Sequence, residues 1–225
     1  MAKYDDMINF WQNLPNNFLV LAPMEDVTDI VFRQIVRTAN EGKPQVVFTE
    51  FTNCDGICSV GQSRVIHRLQ YNPQTERPIV AQIWGKTPDN YQQTAKLCLE
   101  LGFDGVDINM GCPEKNVIKQ GCCSALIINQ NLAKDIIQAT KQGVNGEIPV
   151  SVKTRIGFKD IDTNNWIGFL IDQGLSAITV HGRTVAGSDQ PAIWSEIARS
   201  VVIRDTKHNQ KLDQIKSNWV SLLIS

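Results

Sequence analysis

The sequence lacks the features that would send a chain to a membrane, out of the cell or onto a polyanion by charge alone. No apolar run reaches the ~20 residues that a membrane-spanning helix needs. The opening segment MAKYDDMINFWQNLPNN has neither the basic n-region nor the apolar h-region of a secretory signal. Both absences point to a soluble, cytoplasmic protein with no membrane partner. An excess of one charge is missing too: 22 Lys and Arg stand against 23 Asp and Glu, a formal net charge of -1. No global basic field is available, so any nucleic-acid contact has to come from a local patch. Histidine is scarce, at three residues. Cys54 and Cys58 form a C-x-x-x-C pair, but no second pair has zinc-ligand spacing and His67 stands alone, so no metal site is expected. Six cysteines without signs of export are expected to be reduced thiols. No G-x-G-x-x-G follows the first apolar run, which argues against a Rossmann dinucleotide fold.

What is present is an alternation of short apolar strands with helical segments. FLVLA (18–22) precedes the 3.6-period stretch TDIVFRQIVRTANEG, and QVVFTEF (45–51) precedes an irregular segment and the helical pattern GQSRVIHRL. PIVAQIWG (78–85) leads into KTPDNYQQTAKLCLELG, where Thr87 is placed to cap, Pro88 takes the first helical position and Gly102 terminates. Tyr91, Ala95, Cys98 and Leu99 share one face of that helix, which makes Cys98 a core residue. GVDIN (105–109), PVSVKTR (149–155) and SAITVHGR (176–183) continue the strand series, each followed by a helical pattern. Repeated β/α units of this kind predict an α/β chain folded as a TIM-type (β/α) barrel, with about six of eight units recognisable, in a single domain over 1–225.

In such a barrel the active site lies at the carboxyl ends of the strands. Polar residues gather at those ends: Met24 and Glu25 after the first, Glu50 after the second, Gln82 after the third, Asn109 and Cys112 after the fourth, Lys153 and Arg155 after the fifth, His181 and Arg183 after the sixth. Taken singly, a Gln or Lys at a strand end is a solvated loop residue and a lone His is a core or rim histidine. Taken together, an amide, an ammonium and an imidazole suit a polar heteroaromatic ring with carbonyls and ring nitrogens, such as a flavin.

The segments LAPMEDVTDIVFR, TEF, AQIWGKTPDNY, GVDINMGCPEKNVIKQGCCSALI, VSVKTRIGF, ITVHGRT and WSEIA, in that order across residues 18 to 205, resemble the tRNA-dihydrouridine synthases. The resemblance implies an FMN-dependent oxidoreductase that uses NADPH to reduce uridine to 5,6-dihydrouridine in tRNA, and a monomer. It implies that Cys112 is the proton donor to C5 of the base. A thiol with an ordinary pKa of ~8.5 is expected to be mostly protonated at neutral pH and so able to give that proton. It further implies that Pro23 and Met24 make a backbone contact to the flavin ring, that Gln82 hydrogen-bonds the ring edge, that Lys153 stabilises charge near N1 and O2, and that His181 touches the flavin. Asn109, Arg155 and Arg183 are candidates for substrate contact, with Asn109 also able to meet the flavin.

Two stretches depart from the family pattern. GCCSAL stands where a glycine-rich run is usual, so Cys122 and Cys123 occupy small-residue positions; cysteine is small enough to be tolerated there. After VVIRD the family continues into a seventh strand and an eighth with a phosphate loop, followed by a helical tRNA-binding domain, whereas this chain reads TKHNQKLDQIKSNWVSLLIS. WVSLLIS is expected to add one more strand at best, which reads as carboxyl-terminal truncation. Two other functions fit part of this pattern: an inactive remnant or RNA-binding module, and another FMN barrel oxidoreductase acting on a small pyrimidine. The combination of N-x-G-C-P, K-x-R and H-G-R favours the tRNA enzyme over the latter.

Overall fold

β-Branched and aliphatic runs too short for helices form the strands, and the longer stretches between them coil into helices. The computed structural model describes residues 9–38, 43–212 and 221–224, and the chain divides into two units, Met1–Ile108 with Gln138–Val150 and Asn109–Ile137 with Ser151–Ser225.

The first unit holds β1 (Val20–Leu21), α1 (Ile30–Thr38), β2 (Val46–Phe48), β3 (Thr52–Asn53), α2 (Cys54–Ile57), β4 (Ile79–Trp84), α3 (Pro88–Glu100) and the beginning of β5 (Gly105–Met110). Its strands pair in parallel in the order β1, β2, β4, β5, with β3 also pairing to β4. The register Phe48↔Val80 and Gln82↔Asp107 puts these four side chains on one face, while Val47, Ile79, Ala81, Ile83, Val106 and Ile108 point the other way. Both faces are buried, as parallel strands covered on each side require.

Helix α3 starts as its sequence dictates. Thr87 stands at the cap position, though its side chain makes no capping bond, Pro88 opens the helix, and Gly102 comes after the end with φ +80°. Tyr91, Ala95 and Cys98 are fully buried on its inner face. A side chain at Gly143 would place its Cβ 2.3 Å from the Gln92 carbonyl oxygen, so glycine is what lets that helix segment lie against α3. GQSRVIHRL differs from its helical pattern. It forms two 3₁₀ turns, Gln62–Arg64 and Ile66–Leu69, of which only Leu69 is buried.

The second unit holds the end of β5, α4 (Lys115–Lys119), a 3₁₀ segment (Cys123–Ile128), the first half of α5 (Gln130–Val144), most of β6 (Val150–Arg155), α6 (Thr163–Asp172), β7 (Ala177–His181), α7 (Trp194–Leu212) and β8 (Ser221–Ile224). β6, β7 and β8 pair in parallel in that order. WVSLLIS thus contributes the one strand its pattern allows, with residues 213–220 outside the described residues. On β6, Thr154 faces α6: the buried Trp166 donates its indole N–H to Thr154 Oγ1 at 2.8 Å, and that hydroxyl donates to the Met110 carbonyl at 3.1 Å. Ser151, Lys153 and Arg155 therefore occupy the opposite face, beside Ala177, Thr179 and His181 of β7. Parallel strands, each leading into helical structure, make the fold an α/β, incomplete TIM-type (β/α) barrel. Among the described residues no helix is long and apolar enough to cross a membrane.

The first unit also contains a buried ion pair. Arg33 Nε lies 3.2 Å from Glu76 Oε1, with side-chain exposures of 1% and 0%. The geometry is off the line of a hydrogen bond at that pair of atoms, but Glu76 Oε2 accepts from the Asn72 amide at 2.7 Å and Arg33 donates to the carbonyls of Thr28 and Gln70. Replacing Glu76 by Ala would leave a buried guanidinium without its countercharge. We expect Glu76→Ala to lower unfolding stability by about 3–5 kcal/mol, read as a reduced urea midpoint; a change below ~1 kcal/mol would contradict this account of the pair.

Candidate active site

In the first unit the loop after β1 is tied to its own start. Thr28, fully buried, takes the Met24 amide on its hydroxyl at 3.0 Å and donates both its hydroxyl and its amide to the Met24 carbonyl. Pro23 is buried, and Met24 exposes 38% of its surface. Both main-chain polar groups of Met24 are thus engaged, and its side chain is the part presented outward. Arg68 holds the acidic side of the loop, with Nη1 2.6 Å from Glu25 and 3.2 Å from Glu50 and Nη2 3.5 Å from Asp26. Burial raises the Glu25 carboxyl above its usual range, and Arg68 opposes the shift.

Gln82 is fully buried on the polar face of β4. Its amide donates to Asp107 Oδ2 at 2.6 Å and its main-chain N–H donates to Thr49 Oγ1 at 3.0 Å. Asp107 therefore fixes which end of the Gln82 amide points where. That cross-strand partner follows from the register, and a carboxylate in the otherwise apolar strand GVDIN is the sequence signal for it.

The second unit carries the thiol. Asn109 lies one residue before the end of β5, its side-chain carbonyl accepting from the amides of Gly111 at 3.1 Å and Cys112 at 3.0 Å, so it shapes the loop from within. Arg155 holds the loop from β6: Nε donates to the Gly111 carbonyl at 2.7 Å and Nη1 to the Thr184 carbonyl at 3.2 Å. Gly111 sits where a Cβ would be 3.4 Å from the Thr154 backbone. Beyond the loop, Glu114 caps α4, and the helix closes in a Schellman turn: Cys122 N–H donates to the Val117 carbonyl and Gly121 N–H to that of Ile118, with Gly121 at φ +78°. Lys115, at the start of α4, is exposed.

These contacts set the ionisation of Cys112. The thiol is only partly exposed and its pKa is lowered from the ordinary 9.0 to about 6. The main cause is a hydrogen bond from the side chain of Cys123; burial works against it, the Glu114 amide and the Arg155 charge assist, and the Glu114 carboxylate opposes. The direction is downward from the ordinary thiol value that the sequence alone suggests. Cys123, a tolerated small residue by its place in the sequence, is in the fold the largest influence on Cys112.

A cationic group lies on one face of the second unit's strands. Lys153, Arg155 and Arg183 all act on His181, whose pKa falls from 6.5 to about 4, with burial first, then Arg155, Lys153 and Arg183. Arg183 Nη1 is 3.1 Å from His181 Nε2 and Arg183 Nε donates to the Gln190 carbonyl. Since a guanidinium only donates, Nε2 is the acceptor and the imidazole proton sits on Nδ1. Asn109, Cys112, Lys153, Arg155, His181 and Arg183 thus belong to the second unit, and Pro23, Met24 and Gln82 to the first.

The second unit thus carries, on a β/α fold, a partly buried thiol of lowered pKa and a group of cations around a neutral imidazole. The particular family emerges from comparison. The sequence profile described as dihydrouridine synthase (Dus) matches residues 20–204, and the chain belongs to that family. It is 46% identical over 200 residues to the probable tRNA-dihydrouridine synthase 2 of Bacillus subtilis (strain 168), covering 88% of this chain and 60% of that protein. It is 46% identical over 178 residues to the probable tRNA-dihydrouridine synthase of Staphylococcus aureus (strain COL), covering 78% of this chain and 52% of that protein. The chain therefore spans between half and two thirds of the length of these relatives.

The state of His181 can be checked directly. Its folded-state pKa is below that of an unfolded histidine, so unfolded chains take up a proton first as the pH falls. The contribution is fully present above pH ~6.5 and is lost as the pH drops toward about 4. Imidazole ¹H–¹⁵N spectra are expected to show His181 neutral through pH 5 with a midpoint near 4. A midpoint of 6 or above would mean that the three cations do not act on it as described.

Proposed function

We propose that this chain carries the catalytic part of a tRNA-dihydrouridine synthase, binding FMN, using NADPH as reductant and reducing uridine in tRNA to 5,6-dihydrouridine in the cytoplasm. The observation that carries the reading is the Cys112 loop: a partly exposed thiol on a strand-end loop braced by Asn109 and Arg155, a position from which a side chain can serve as general acid. The names of the relatives support the same activity and substrate.

Each unit carries donors whose chemistry suits a flavin. Lys153 offers a cation, His181 a neutral imidazole with its proton on Nδ1, and Gln82 an amide oriented by Asp107. Bound FMN would supply the hydride that C6 of the base takes up. Lys153 would stabilise negative charge near N1 and O2, Gln82 would bond the ring edge, and His181 would contact the ring. Pro23 and Met24 would border it through their buried ring and outward side chain, because the Met24 main chain is already occupied by Thr28. Cys112 would give its proton to C5. Asn109 would hold that thiol and meet the base or flavin, Arg183 would contact the substrate, and Arg155 would act chiefly as the strut of the loop, since two of its nitrogens already bond carbonyls.

The test uses the chain extended with the carboxyl-terminal part of the Bacillus subtilis relative. Cys112→Ala is expected to cut dihydrouridine formation by about 10²-fold or more while flavin absorbance and its bleaching by NADPH stay near normal, because flavin reduction needs no proton at the uracil carbon. Cys122→Ala is the control, since the Cys122 thiol turns away to the Gln120 carbonyl at 3.9 Å. Normal turnover by Cys112→Ala would remove Cys112 from the reaction, and a purified wild-type chain with no flavin absorbance after FMN addition would remove the cofactor assignment.

A further inference from the structure

The loop that follows β1 is held by two arginines. Arg33, buried in α1, donates from Nη1 to the Thr28 carbonyl at 2.6 Å, where the loop ends, and from Nη2 to the Gln70 carbonyl at 2.7 Å. Gln70 directly follows the 3₁₀ turn Ile66–Leu69, so the same guanidinium also fixes the segment that carries Arg68. Leu69 is buried beneath that turn, and the Arg68 amide donates to the Val65 carbonyl at 3.2 Å. From there Arg68 reaches back to the loop: Nη1 stands 2.6 Å from Glu25 Oε1 and 3.2 Å from Glu50 Oε1, and Nη2 stands 3.5 Å from Asp26 Oδ1. Glu50 Oε1 also accepts from the Asp26 amide at 2.9 Å, so one oxygen of a nearly buried carboxylate joins the arginine to the loop's main chain. The amide so held belongs to a residue at φ +56°, in the left-handed region, two positions after Met24.

We infer that Arg68 is a positioning residue for flavin binding: by bridging the carboxylates of Glu25 and Glu50 it locks residues 23–28 in the shape that turns the Met24 side chain outward. This rests on the reading of Pro23 and Met24 as the flavin's border. The charges show why a cation is needed. Glu25 and Glu50 approach the same Arg68 nitrogen, and with Glu50 nearly buried their mutual repulsion is poorly screened by water. Without Arg68, Glu25 is repelled toward solvent and draws the adjoining Met24 with it. The contact with Asp26, whose side chain is 85% exposed, adds little, so the bridge to Glu25 and Glu50 is what holds the loop. A guanidinium presents its donors in a fixed planar fork and can serve both carboxylates at once, whereas an ammonium is a single point charge. A loop that samples several shapes binds a ligand only through the fraction in the competent one. Loosening this clamp therefore weakens flavin binding without removing any group that borders the flavin.

The test uses the 225-residue chain labelled with ¹³C-methyl methionine; it contains four methionines, and Met24→Leu identifies the Met24 methyl signal. Without flavin, Arg68→Gln is expected to move that signal toward its position in the urea-unfolded chain, with Arg68→Lys between Arg68→Gln and the parent. Arg37→Gln is the control. Arg37 also lies on α1 but donates to the carbonyls of Thr75, Pro44 and Arg77, so its loss weakens the unit without touching the loop's carboxylates, and the Met24 signal should stay in place. Titration with FMN, followed by quenching of flavin fluorescence, is expected to give Arg68→Gln a Kd about 10-fold or more above the parent, as when the competent loop shape falls to about a tenth of molecules, and Arg37→Gln a Kd within about twofold. A Met24 signal unmoved in Arg68→Gln, or moved as far in Arg37→Gln, would overturn the clamp. A moved signal with the Kd of Arg68→Gln within about twofold of the parent would overturn its part in flavin binding. Failure of the functional reading looks different: Arg68→Gln moves the signal, yet FMN in excess neither shifts the Met24 signal of the parent nor loses fluorescence on mixing with it. That result leaves the clamp standing and removes the flavin from its border.

Discussion

A parallel strand buried on both faces leaves few places for polar side chains, and the alternation of its residues decides which face receives them. In β4 and β5 this puts Gln82 and Asp107 side by side, each satisfying the other at 2.6 Å, while their neighbours Ala81, Ile83, Val106 and Ile108 pack away from them. In β6 and β7 it puts Lys153, Arg155 and His181 together on the face opposite Thr154, which is occupied by Trp166. A slip of one residue in either pairing would exchange the two faces, burying the charged groups against helices and dispersing the chemistry.

The charges then act on one another. Three cations around a partly buried imidazole make its protonation costly, and the proton that remains is directed to Nδ1 by the guanidinium at Nε2. The thiol moves in the opposite sense from what burial alone would do. Cys98, enclosed on the inner face of α3, is pushed up to about 12 by burial, whereas Cys112 is drawn down to about 6 by its neighbour's hydrogen bond. The contrast within one chain separates desolvation from hydrogen bonding as causes. It also shows how a residue of one type can be packing in one place and an ionisable group in another.

Hydrophobic periodicity by itself determined the strands, the helix α3 with Pro88 at its start and Gly102 after its end, the burial of Cys98, and the parallel β/α class, because these depend on local patterns of apolar residues. The order of polar residues at strand ends was also legible, and with it the thiol loop. Tertiary structure decided what no local pattern contains. GQSRVIHRL became two 3₁₀ turns rather than one helix. Arg155 directs its donors to the carbonyls of Gly111 and Thr184, and Asn109 turns its oxygen to the loop that holds Cys112. Cys123, a tolerated small residue in the sequence pattern, is in the fold the first influence on the ionisation of Cys112. A thiol's acidity is set by what surrounds it in space, and that neighbour lies a loop and a short helix away along the chain.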